Sequence, residues 1–107
     1  YAIGVSNATS ALHLSLKSIG IGTGDEVIIP NITFVATANA VLYTGATPVL
    51  ADVNYDDLNI SSKSIKKNIT KKTKAVMILN VLGNCSEMEK IKRYLKINDC
   101  QRLTTSG

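Results

Sequence analysis

Strand-like apolar runs alternate with helix-period stretches along this chain, and that order limits its folds more than any single residue does. Residues 2–5 read as a short strand. Residues 8–19 read as a helix with Ala8, Ala11, Leu12, Leu16 and Ile19 on one face, and Ser6 or Asn7 is placed to cap it. Gly20, Gly22 and Gly24 mark its stop and the turn beyond. Residues 25–30 form a buried strand closed by Pro30. Residues 34–44 form an alanine-rich helix stopped by Gly45, and residues 47–53 the next strand. After a polar turn, Ser61 or Ser62 caps a helix to about residue 68. Residues 75–82 are continuous enough in apolar character for a strand covered on both faces. Ser86 is placed to cap a basic helix over 87–95, and residues 95–98 read as a last strand. Strands joined through helices require crossovers. The expected fold is therefore α/β, a three-layer α/β/α arrangement around a mainly parallel sheet.

Composition narrows the function classes. The chain has 107 residues, 45% apolar and 19% charged, as in ordinary globular proteins. No apolar stretch approaches the roughly 20 residues that span a bilayer, so no membrane partner is expected. Residues 1–4 carry no basic leader, so the expectation is either a cytoplasmic protein or a sequence that lacks its true N-terminus. Cys85 and Cys100 lack metal-ligand spacing and read as free thiols. The single His13 supplies no metal site with them. The net charge of +4 owes much to Lys63, Lys66, Lys67, Lys71, Lys72 and Lys74. Without interleaved aromatics or arginines this cluster reads as a solvated face, so no nucleic-acid partner is expected.

Two places can carry chemistry. Helix starts leave backbone N–H groups unpaired and partly positive, which suits a phosphate. At the first helix, Ala8 and Ser10 are small enough to let one approach, and the Thr9 hydroxyl adds a donor. An ordinary capped helix is the alternative. Phe34, the sole phenylalanine, follows Pro30 and a polar loop at the carboxyl end of a strand. It suits stacking on a planar ligand or, alternatively, packing in the core. The three glycines at 20, 22 and 24 follow a helix and precede a strand, the wrong order for a dinucleotide loop. Asp52, Asp56 and Asp57 read as turn and helix caps.

Taken together, the segments Ala2-Ile3-Gly4-Val5-Ser6-Asn7-Ala8-Thr9-Ser10-Ala11, Gly22-Thr23-Gly24-Asp25-Glu26-Val27-Ile28-Ile29-Pro30, Thr33-Phe34-Val35-Ala36-Thr37-Ala38-Asn39-Ala40 and Gly83-Asn84-Cys85-Ser86-Glu87-Met88 resemble the DegT/DnrJ/EryC1/StrS aminotransferases. The resemblance implies part of the large domain of the type I fold of pyridoxal 5'-phosphate (PLP) enzymes over residues 1–107, with 96–107 an irregular tail. It implies PLP as cofactor, a nucleotide-sugar substrate, glutamate as amino donor, and a homodimeric parent enzyme. Ala8 and Thr9 match the family's phosphate-binding Gly-Thr pair, and Phe34 matches its ring-stacking aromatic. Asp99 would be the pyridine-nitrogen partner, though the helix before it is short for the family. Ala8 stands where the family has glycine, and Asn80 where it has histidine. The family's Schiff-base lysine falls downstream of Gly107, so no catalytic residue is expected within the chain, and the piece alone is expected to be inactive. A sugar dehydratase of the same family and a non-catalytic phosphate-binding module are the alternatives.

Overall fold

A computed structural model describes residues 1–97 and 100–106. It contains α1 (Ala8–Ser18), β1 (Glu26–Pro30), α2 (Val35–Tyr43), β2 (Thr47–Ala51), α3 (Ser62–Asn68), β3 (Thr73–Asn80), α4 (Met88–Ile97) and β4 (Gln101–Ser106). The strands form one parallel sheet in the order β2-β1-β3-β4.

Alternation along the strands divides the core in two. Val27 and Ile29 of β1 and Ala75 and Met77 of β3 face one side, where they pack with Leu16 of α1 and Ala40 and Val41 of α2. Ile28, Val76 and Ile78 face the other, with Ile65 of α3 and Ile91 and Leu95 of α4. All of these except Leu95 and Met77 have no exposed surface, and those two have almost none. Two helices cover each face of the sheet, so the three-layer α/β/α expectation holds.

The helix starts obey local chemistry. Asn7 caps α1, its side chain accepting from the Ser10 N–H at 2.8 Å. Ser61 caps α3, accepting from the Ser64 N–H at 3.4 Å. Ser86 does not cap α4 as expected. Its hydroxyl turns back to the Leu79 carbonyl and the Asn80 side chain, at 3.4 and 3.2 Å.

Three further expectations are corrected. Residues 2–5 are not a strand: they run as exposed coil, because no strand among the described residues offers them a ladder. Residues 81 and 82 leave β3 for a short 3-10 turn, Val81–Gly83. Residues 95–97 are helical rather than extended, since Leu95 follows Ile91 by one helical turn and joins it in the core. Asn98, the last residue of that expected strand, lies outside the described residues. The sheet's final strand begins at Gln101 instead, pairing Gln101 with Ala75 and Ser106 with Asn80.

Candidate functional site

The sheet order reverses direction between β1 and β3. Ligand crevices in open α/β sheets form at such points, outside the carboxyl ends of the strands. The segments after Pro30 and after Asn80 occupy that edge here.

α1 and α2 run in the same sense beside each other. Gly45 (φ 87), just past α2, lies so close to the loop after α1 that a Cβ there would stand 2.7 Å from Thr23 Oγ1. Their C-terminal ends therefore meet, and their N-terminal ends share the opposite end of the layer. Since α2 departs from the carboxyl end of β1, that end is the crevice edge. The structure thus brings Ala8, Thr9 and Phe34 to one side of the molecule.

Ala8 is the first residue of α1 and exposed, and Thr9 is half-buried behind it. The first bond of the helix runs from the Ala11 N–H to the Asn7 carbonyl at 3.1 Å, and the Asn7 side chain takes the Ser10 N–H. Among the described residues nothing accepts from the amides of Ala8 and Thr9. Two donors thus point out of the helix start with its partial positive charge behind them.

Phe34 is the N-cap of α2 and 76% exposed, so it packs in neither core of the described residues. Behind it, Thr33 and Thr37 share a hydrogen bond of 2.8 Å, and Asn31 donates to Asp52 at 3.1 Å, tying the ends of β1 and β2 together. Asp99 lies outside the described residues. His13 packs edge-on against Tyr43 at 5.7 Å between ring centres, with its Nε2 buried and without a partner. Cys85 is an exposed thiol, the Cys100 thiol donates to the Thr73 carbonyl at 3.2 Å, and no cluster of metal-ligating side chains occurs among the described residues. The six clustered lysines are all exposed, and Lys66 sits over the Tyr94 ring at 5.5 Å.

Sequence reasoning missed a polar clasp at this edge. Asn59 is fully buried and bonds both ends of the turn after β3, while Ser62 donates to Glu87 at 2.8 Å. The available signal was an asparagine set between Leu58 and Ile60, in a loop otherwise polar.

Comparison with known proteins accords with this arrangement. Residues 1–100 match the sequence model of the DegT/DnrJ/EryC1/StrS aminotransferase family. GDP-perosamine synthase of Escherichia coli O157:H7 is 44% identical over 94% of the chain, which spans 29% of that enzyme. A solved aminotransferase from Psychrobacter cryohalolentis superposes with a TM-score of 0.90 at 35% identity, over 92% of this chain and 25% of that one. NtdA from Bacillus subtilis, solved with bound cofactor PMP, superposes at 0.86 with 32% identity, over 90% of this chain and 22% of that one. The chain therefore spans less than a third of the length of these relatives. Matched motifs, sheet topology and sequence identity agree: the chain belongs to the DegT/DnrJ/EryC1/StrS aminotransferase family.

Proposed function

We propose that this chain is the cofactor-phosphate-binding part of a PLP-dependent enzyme that transfers an amino group to the keto group of a nucleotide-linked sugar. Residues 1–107 would then be the N-terminal portion of its large domain. The observation that carries this is the pair of unpaired amides at Ala8 and Thr9, on the same edge as the bare ring of Phe34. An anion and a flat ring are the two halves of PLP, and the chain offers a matching surface for each.

In this assignment the Ala8 and Thr9 N–H groups donate to the cofactor phosphate, with the Thr9 hydroxyl as a third donor. The methyl of Ala8 is small enough to permit that approach. Asn7 holds the helix start in shape by occupying the Ser10 amide, which leaves the other two amides for the ligand. Phe34 covers one face of the pyridine ring and excludes water from it. Asp99 would sit beside the pyridine nitrogen and keep it protonated. When bound, PLP supplies an electron-poor ring that stabilises negative charge at the reacting substrate carbon. The relative named GDP-perosamine synthase supports a nucleotide-sugar substrate. Glutamate as donor, a homodimeric parent and a cytoplasmic location complete the proposal. Among the described residues no helix is long and apolar enough to cross a membrane.

Equilibrium dialysis of the full chain against PLP tests it. Binding is expected to be displaced by inorganic phosphate. Thr9→Val should weaken it roughly tenfold, the worth of one hydrogen bond to a charged group. Phe34→Ala should weaken PLP binding but leave phosphate binding unchanged. PLP retention indifferent to both substitutions overturns the assignment.

A further inference from the structure

We infer that Asn59 is a positioning residue, holding the turn after β3 in a left-handed conformation so that Leu82 becomes an apolar wall of the crevice on whose edge Phe34 lies. For the identity of its ligand this rests on the coenzyme proposal above.

Asn59 is itself fixed in place. An antiparallel bridge joins Val53 to Ile60, the Asn54 N–H donates to the Asn59 carbonyl at 2.8 Å, and the Asn59 N–H donates to Asp57 Oδ1 at 2.9 Å. Its side chain has no exposed surface and grips the turn twice. Oδ1 accepts from the Val81 N–H at 2.9 Å, and Nδ2 donates to the Asn84 carbonyl at 3.1 Å. One amide thus holds both ends of a four-residue loop.

Inside that loop Leu82 has φ 50 and ψ 32 and is 86% exposed. A branched side chain in the left-handed region is disfavoured and persists only where its surroundings over-determine it. The loop's own bond, from the Asn84 N–H to the Val81 carbonyl at 2.9 Å, gives too little constraint alone. Asn59 supplies the rest from one side. From the other, Asn80 Oδ1 accepts from the Ser86 N–H at 3.1 Å and its hydroxyl at 3.2 Å. The outcome is an apolar side chain held out into solvent at the carboxyl end of β3, next to the strand that ends before Phe34. In that posture Leu82 can pack against something apolar or planar seated at the crevice.

The test compares wild type, Asn59→Ala, Leu82→Gly and the double variant, all as the full chain. Amide exchange at Asn84 reports the turn, and dialysis against PLP reports the crevice. In Asn59→Ala, Asn84 protection is expected to fall about tenfold. Glycine tolerates positive φ, so the double variant should regain that protection while its thermal midpoint stays lowered. Leu82→Gly should keep the turn yet weaken PLP retention, and adding Asn59→Ala should weaken it no further. If Asn59→Ala fails to fold, Asn59→Asp serves: protonated, it has both acceptor and donor. Its Asn84 protection should then be lost where the carboxyl is ionised and return as falling pH protonates it.

Unchanged Asn84 protection in Asn59→Ala, or none regained in the double variant, overturns the clasp. Unchanged PLP retention in Leu82→Gly overturns the wall. Failure of wild type to retain PLP sinks the coenzyme proposal and the wall with it, while Asn84 exchange still decides the clasp.

Discussion

Glu87 shows how a single residue sets a pH dependence. The Ser62 hydroxyl donates to its Oε2 at 2.8 Å, and Lys90 lies 3.3 Å from its Oε1. Together, the Ser62 bond first, they hold the carboxyl below its ordinary value against the opposite pull of burial. A carboxyl lowered in the folded state stabilises the fold above its unfolded value, and that contribution disappears as pH falls through the folded one. The window therefore lies on the acid side, below about pH 4. Because the side chain is partly exposed, the effect is discounted to under about 1 kcal/mol. Ser62→Ala is expected to return the Glu87 titration toward its ordinary value, as followed by carboxyl NMR; an unmoved titration would refute the pairing. The positions of Thr9 at a helix start and of Phe34 after a strand were legible in the sequence because breakers and apolar runs mark such places. Asn59 was not, because what distinguishes it is its pairing with Val81 and Asn84, far along the chain.

At the level of elements, α1 depends on its cap. Asn7→Ala removes the acceptor for the Ser10 N–H and should cost about 1 kcal/mol, measured by urea denaturation. The freed amide also alters the geometry of the Ala8 and Thr9 donors, so PLP retention should fall along with stability. A variant with normal stability and normal retention would show that the cap is idle. Most elements were legible from period and punctuation: Leu12 and Leu16 mark the inner face of α1, and Pro30 ends β1 as expected. The misreadings share a cause. Residues 95–97 alternate like a strand, but Leu95 also completes a helical turn with Ile91, and the core favoured the helix. Residues 2–5 carry a strand pattern, but pattern cannot say whether a neighbouring strand is present to pair with it.

For the whole molecule, the decisive feature is one sheet serving two cores. Ile28 and Ile29 are adjacent in sequence yet buried on opposite faces. Ile28→Ala and Ile29→Ala should each cost about 2–5 kcal/mol in urea denaturation. Total stability for a domain of this size is about 5–15 kcal/mol, so the double variant should approach complete unfolding. Both single variants should still unfold in one transition, because the sheet belongs to both cores; two separate transitions would show that the faces fold independently. The strand order also carries a consequence for how the molecule comes into being. β1 lies between β2 and β3, but β3 is made roughly 50 residues after β1 ends. At a translation speed of about 5–20 residues per second, the nascent chain carries β1 for some 3–10 s before its second neighbour can be made. During that interval Val27, Ile28 and Ile29 lack the packing that Ala75, Val76, Met77 and Ile78 of β3 supply. Chaperones that bind emerging polypeptides would therefore find this short aliphatic stretch open to them during that time.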